Sequence, residues 1–161
     1  MAVQQHFRHT PAAEDSRACP MGAIEDARLE PSPAADKATW LRRGQPKGGL
    51  AVIHFDNHLD TVDTVWGEQW GHASPFRRAI EDGLIDPKAM LSIGLKGPLN
   101  SLTDLDFARN AGVTILSDTQ FRVDGPRRVA DFVKALGTRE TYITFDIDCI
   151  DPAFAPGTGT P

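Results

Sequence analysis

The sequence predicts an α/β fold, a three-layer sandwich with a mainly parallel sheet. Three observations support this prediction: apolar runs of strand length alternate with helical segments, glycine residues bound several of these elements, and the composition is that of a globular domain. The chain has 161 residues, of which 40% are hydrophobic and 24% are charged, as in ordinary globular proteins. Strands that alternate with helices are joined by crossover connections, which makes the strands parallel.

Four strands are expected. The first is the nearly continuous apolar run 50–55, which lies between Gly49 and Asp56 and is typical of a strand buried on both faces. The others are predicted at residues 90–95, 113–116 and 141–145.

Three helices are expected between these strands. The first has Ser74 as N-cap and Pro75 at the first helical position, and Gly83 ends it, in keeping with the preferences of helix termini. The second is predicted at residues 103–110. The third is predicted at residues 126–136, where apolar side chains share one face.

Residues 1–46 differ from the rest in composition and in the pattern of their apolar residues. They are rich in alanine, proline and charged residues, and their apolar residues follow neither a helical nor a strand period. We therefore expect residues 1–46 to be irregular or to represent a misassigned start, and residues 47–161 to form the domain.

Charge and hydropathy exclude several classes of protein. The chain carries 17 basic and 22 acidic residues and a formal charge of −5, without the basic stripe of a nucleic-acid-binding protein. No stretch approaches the roughly 20 apolar residues of a membrane span. The first residues lack the pattern of a secretory signal, so a cytoplasmic location is expected. Cys19 and Cys149 form neither a disulfide framework nor a zinc ribbon.

Acidic clusters follow the first and fourth strands. Asp56, His58 and Asp60 come after the first, and Asp146 and Asp148 come after the fourth. If the backbone stays extended there, each cluster projects to one side, at the sheet edge where α/β proteins bind ligands. Converging carboxylates repel one another unless cations neutralise them. Manganese(II) suits such donors, and two ions ~3.5–4 Å apart that share carboxylates would fit. The alternative is a satisfied polar turn at each strand end.

Two histidines remain to be interpreted. His72 lies just before the first helix, and because histidine titrates near neutral pH it could act as a proton shuttle. The alternative is a surface histidine beside an N-cap. His54 lies within the first strand and is interpreted as a core residue.

These motifs, in this order, resemble the ureohydrolase (arginase/agmatinase) family, and the agmatinase and guanidinobutyrase branch is the most similar. The resemblance covers residues 47–161 and rests on four segments: 54–60, 71–78, 145–152 and 155–161. It implies a binuclear manganese(II) centre and hydrolysis of a guanidino compound to urea and an amine. Agmatine is the favoured substrate, with guanidinobutyrate or another guanidino acid as the alternative.

The resemblance also implies roles for individual residues. Asp56 and Asp146 match the carboxylates that bridge the two manganese ions. His58 and Asp148 match ligands of one manganese ion, and Asp60 matches a ligand of the other.

His72 matches a histidine beside the substrate that relays protons. Three neighbouring positions depart from the usual pattern of the family: Asn57 replaces alanine, Ala73 replaces glycine, and Lys96 replaces arginine. None of these changes removes a ligand, but they could alter the substrate preference.

The family has a further ligand histidine in an upstream Gly-Gly-Asp-His motif, which residues 1–46 do not contain. Relatives also continue beyond the position of Pro161. The arginase-like sandwich is therefore expected to be incomplete at both ends, and a non-catalytic fragment of such an enzyme is an alternative function. A complete chain is expected to form a homo-oligomer. A haloacid-dehalogenase-type phosphatase built on residues 146–148 is disfavoured, because that motif should open the first strand of its domain.

Overall fold

The computed structural model describes residues 48–97, 99, 101 and 103–158, and the expectations for residues 1–46 lie outside this part of the chain. Its strands are β1 Leu50–Phe55, β2 Ile85–Leu95, β3 Thr114–Ser117 and β4 Thr141–Phe145. Its helices are α1 Pro75–Glu81, α2 Asp106–Ala111 and α3 Asp118–Leu136, and a short 3₁₀ turn spans Ile147–Cys149.

The four strands form one parallel sheet in the order β3-β2-β1-β4, which confirms the predicted fold class. Strand β1 lies between β2 and β4, and Phe55 at its end pairs with Ile93 and Phe145. The carboxyl ends of β1 and β4 therefore lie side by side. This register brings the two acidic clusters to the same edge of the sheet.

Helices cover both faces of the sheet, so the molecule has three layers. On one face, Val52 and Met90 pack with Phe76 of α1 and Ala108 of α2. On the other face, Ile53, Leu91, Ile93 and Leu116 pack against α3 through the side chains of Phe121, Val129 and Phe132. Neighbouring residues of β1 thus serve opposite cores, as the two-residue period of a strand requires. Within the described ranges, no helix combines the length and apolar character needed to cross a bilayer.

The prediction that the third helix begins at residue 126 was wrong, because α3 begins at Asp118. Ser117 accepts a hydrogen bond from the Gln120 backbone N–H, and the Gln120 side chain accepts one from the Ser117 N–H. This reciprocal cap starts the helix. A non-helical backbone at Asp124 (φ −148°) then interrupts it shortly before Pro126, so the predicted helix is its second half.

Other boundaries shift as well. Strand β2 begins at Ile85 rather than at residue 90, although it contains Pro87, which cannot donate to the sheet. The register with β1 shifts over this stretch, since Leu50 pairs with Ile85 but Val52 pairs with Met90. Helix α2 begins at Asp106 rather than at residue 103.

Helix α1 begins at Pro75 as predicted, but Ser74 makes no side-chain cap to it. The Ser74 hydroxyl instead donates to the Gln69 carbonyl at 2.7 Å and accepts from the Gly71 N–H at 3.0 Å. It therefore stabilises the loop before the helix.

Candidate metal centre

The sheet hydrogen bonding continues one residue beyond β1 and β4 and thereby fixes an acid at each end. The Asp56 backbone N–H donates to the Ile93 carbonyl at 2.9 Å, and the Asp146 N–H donates to the Phe55 carbonyl at 2.8 Å. Asp56 is thus tied to β2, and Asp146 is tied to β1. Both begin the loops that carry the remaining candidate ligands.

A first group of possible metal ligands joins these two loops. Asp56, His58 and Asp148 each offer a ligand atom, and these atoms lie within 4.8 Å of one another. His58 Nδ1 is 3.3 Å from Asp56 Oδ1 and 3.1 Å from Asp148 Oδ2. Both carboxylates are buried, whereas 38% of the His58 side chain is exposed. The His58 imidazole therefore lies between solvent and the carboxylates of Asp56 and Asp148.

The electrostatics of this group favour a positive charge. Hydrogen bonds to Asp148 and then to Asp56 raise the pKa of His58 from 6.5 to about 10. Burial acts to raise the pKa of Asp56, but hydrogen bonds from His54 and His58 outweigh burial and hold that pKa below its usual range. The buried Asp56 carboxylate therefore stays ionised and attracts a cation.

A second group shares one member with the first. His54, Asp56 and Asp60 also place ligand atoms within 4.8 Å of one another. Asp60 has a left-handed backbone conformation (φ 55°), so the segment after β1 is not extended as expected. Asp60 and His58 consequently serve different groups, which meet at Asp56.

The segment after β4 is not extended either. The Asp146 side chain accepts a hydrogen bond from the Asp148 N–H at 3.2 Å and so begins the 3₁₀ turn Ile147–Cys149. The expectation that Asp146 and Asp148 project together from an extended strand was therefore wrong. Among the described residues, Asp148 belongs to the first ligand group and Asp146 belongs to neither.

His72 lies in the loop between β1 and α1, where it is exposed. Its ring centroid is 6.3 Å from that of Trp66, whose side chain is 93% exposed. Trp70, in the same loop, is exposed as well. The predicted role of His72 in proton transfer stays a prediction.

Two residues that the sequence marks only as departures from the family pattern, Asn57 and Lys96, support the first group, a role that sequence reasoning missed. The buried Asn57 donates its backbone N–H to Asp148 Oδ1 at 3.0 Å, and its Oδ1 accepts from the Lys96 N–H at 3.1 Å. The Lys96 ammonium donates to the Asp148 carbonyl at 2.5 Å. Two of the three positions that depart from the family pattern therefore hold Asp148, Asn57 at its carboxylate and Lys96 at its backbone carbonyl.

The donor set fits a pair of divalent cations. Each group contains two carboxylates, both groups use Asp56, and His58 adds an imidazole to the first. Carboxylates and imidazole suit hard or borderline ions such as manganese(II), and a shared carboxylate is common where two ions lie close together.

The chain belongs to the arginase family, whose family model matches residues 34–161. This match begins before residue 47, which is the start of the domain predicted from the sequence pattern. The boundary at residue 47 stays a prediction.

Three relatives are informative. The chain is 44% identical over 115 residues to proclavaminate amidinohydrolase of Streptomyces clavuligerus, 44% identical over 114 residues to guanidinopropionase of Pseudomonas aeruginosa, and 39% identical over 115 residues to agmatinase of Neisseria meningitidis. These alignments cover 70–71% of this chain. The solved structure of the Streptomyces enzyme superposes with a TM-score of 0.71 at 38% identity, covering 82% of this chain and 44% of that one.

The chain is much shorter than these relatives. It spans 37%, 36% and 34% of the three proteins, respectively. The family and the fold follow from the comparisons, whereas activity and substrate are matters for proposal.

Proposed function

We propose that this chain carries the metal-binding core of a ureohydrolase, which hydrolyses a guanidino compound to urea and an amine at a binuclear manganese(II) centre. The observation that carries the proposal is the pair of ligand groups that share the buried Asp56. The relatives support it, since their names describe enzymes of guanidino and amidino compounds.

The proposed ligands divide between two metal positions. His58 and Asp148 would hold one ion, Asp60 would hold the other, and Asp56 would contact both, in keeping with the distances within the two groups. We assign Asp146, the residue that precedes the 3₁₀ turn, as a second carboxylate contacting both ions on the family resemblance alone, because it belongs to neither group.

When bound, two divalent ions supply a water whose pKa is lowered toward neutrality, which makes it a nucleophile toward the guanidinium carbon. Residues of the chain itself would orient this water and protonate the departing amine. Asp60, on the same loop as Asp56, would accept a hydrogen bond that orients the water. His72, exposed on the loop before α1, holds the proton that the departing amine requires.

Agmatine is the proposed substrate, and a guanidino acid such as guanidinobutyrate is the alternative. The two differ at the end remote from the guanidinium group, which is an ammonium in agmatine and a carboxylate in guanidinobutyrate. The relatives bear names of both kinds, agmatinase and guanidinopropionase. Parallel assays of urea release from the two compounds decide between them.

The first experiment is to load the purified chain with manganese(II), remove free metal, and measure bound metal by inductively coupled plasma mass spectrometry. We expect close to two ions per chain. Asp148→Asn should weaken binding by more than the roughly 10–100-fold typical for loss of an outer-shell partner, because it removes a buried ligand. Urea release is then measured on the loaded chain.

Asp131→Asn is the matched control, because Asp131 lies on α3 with 65% of its side chain exposed and the substitution changes charge equally. It should leave metal binding unchanged. One ion or fewer per parent chain would contradict the binuclear centre and favour a non-catalytic fragment. Two ions without urea release from either compound would contradict the proposed reaction but not the metal site.

A further inference from the structure

His54 is a polar side chain in an apolar strand. It is fully buried within β1, among residues that pack in the two cores. Burying an imidazole without hydrogen bonds is costly. Its ring contacts therefore identify what stabilises it.

Both ring nitrogens of His54 have partners. Nε2 lies 2.9 Å from Asp56 Oδ2, and Nδ1 lies 3.3 Å from the hydroxyl oxygen of Ser92. Ser92 is itself fully buried and pairs with His54 across the β1–β2 ladder. The Phe76 ring of α1 lies against the imidazole with the ring centroids 4.5 Å apart. The sheet and the helix together prevent the ring from turning.

The partners decide which nitrogen carries the proton. Asp56 Oδ2 is a carboxylate oxygen and only accepts, so Nε2 must donate to it at 2.9 Å. In the neutral imidazole Nδ1 is then the acceptor, and the Ser92 hydroxyl, which can donate or accept, donates to it at 3.3 Å. The result is a directed chain of hydrogen bonds from Ser92 through His54 to Asp56.

This arrangement distinguishes two roles for His54. As a direct metal ligand beside Asp56 and Asp60, it would need a lone pair on Nε2, the nitrogen that faces Asp56. As a donor to Asp56 Oδ2, it has no such lone pair. Since the Nε2–Oδ2 distance is that of a hydrogen bond, the second role agrees with the geometry.

We propose that His54 is a positioning residue, which holds the bridging carboxylate of Asp56 through Nε2–H and is itself held by Ser92 and Phe76. The proposal rests on the metal centre proposed above and extends it to a residue buried behind the ligands. Asp56 Oδ1 accepts from the His58 backbone N–H at 2.7 Å. One donor on each oxygen therefore fixes the plane of the carboxylate and leaves further lone pairs for metal.

The test measures manganese(II) affinity of the full chain by the electron paramagnetic resonance signal of free manganese(II). His54→Leu removes the donor and should weaken binding by about 10–100-fold, the usual cost of losing an outer-shell partner. His54→Gln retains an N–H donor at a similar reach and should restore affinity to within about fivefold. Ser92→Ala should have a smaller effect, because it acts only on the far nitrogen.

Val52→Ala is the matched control for lost stability. Val52 is also fully buried, lies two residues before His54 on β1, and belongs to the core on the same side. It should lower thermal stability without changing manganese(II) affinity. If His54→Leu binds manganese(II) within twofold of the parent, or if His54→Gln folds but binds as weakly as His54→Leu, the proposal is wrong.

A second measurement needs neither a variant nor metal. Long-range ¹H–¹⁵N correlation spectra of the metal-free chain report which ring nitrogen of His54 is protonated, and we expect a proton on Nε2. An unprotonated Nε2 would overturn the proposal. Failure of the metal centre itself has a different signature, namely no manganese(II) uptake by the parent chain.

Discussion

A double substitution at Asn57 and Gly97 tests how tightly the loops around the metal centre are packed. A Cβ atom added at Gly97 would lie 2.9 Å from both amide atoms of Asn57 and 3.0 Å from its Cγ. Asn57 is fully buried, and its Oδ1 accepts the Lys96 N–H. It therefore cannot move aside without losing that hydrogen bond.

The expected energies follow from these contacts. Gly97→Ala overpacks the site and should cost about 1–3 kcal/mol of unfolding free energy. Asn57→Ala leaves the Lys96 N–H without its acceptor, which should also cost about 1–3 kcal/mol. If the effects were independent, the double variant would lose about 2–6 kcal/mol. Because Asn57→Ala removes the atoms that clash, we expect the double variant to lose only about 1–3 kcal/mol.

The assay is urea unfolding of the four chains in EDTA, followed by far-ultraviolet circular dichroism, with the free energy of unfolding compared across the cycle. The coupling energy should be at least about 1 kcal/mol, with the double variant more stable than the sum predicts. Additive effects within about 0.5 kcal/mol would refute the packing argument. A change in the slope of unfolding with urea would instead indicate an altered denatured state.

Three further outcomes are expected. Because hydrogen bonds to Asp148 and Asp56 raise the pKa of His58 to about 10, its ion pair stabilises the metal-free chain fully below pH 6.5, and this stabilisation is lost as pH rises toward 10. The melting temperature in EDTA should therefore fall over that range, and an unchanged or rising melting temperature would contradict this. Manganese(II) at 100 times its Kd should stabilise the chain by about 2.7 kcal/mol, a gain that EDTA reverses in thermal melts; no gain would count against a preformed site. Gly49→Ala should destabilise more than Gly48→Ala in urea unfolding, since both have positive φ but only the Gly49 Cβ meets backbone, 2.7 Å from the Asp86 nitrogen; equal losses would contradict it.

The sheet could be predicted from the sequence because its signals are local. Strands β1 and β4 have the predicted bounds, since each is a compact apolar or β-branched run with clear limits. Helix α3 was truncated in the prediction because Pro126 is a strong start signal. The Ser117–Gln120 pair is a start signal as well, and it is the one that begins the helix.

The site could be predicted only in part, because its geometry depends on backbone turns. The sequence indicates which acids follow β1 and β4, but the positive φ of Asp60 and the 3₁₀ turn after Asp146 separate residues that an extended chain would align. His54 was interpreted as a core residue, and it is buried. Its hydrogen bond to Asp56 follows from the two-residue alternation of side chains along a strand, which places His54 and Asp56 on the same side of β1.

The sheet order has a consequence for the order of folding. Strands β1 and β4 are neighbours, yet the hydrogen bond between Asn57 and Asp148 that joins their loops spans 91 positions of sequence. Closing so long a loop is slow compared with pairing strands that are near in sequence. We therefore expect β4 to dock late and the first ligand group to be completed only at that step. Bound manganese(II) would then mainly lower the rate constant of unfolding and leave the rate constant of folding nearly unchanged.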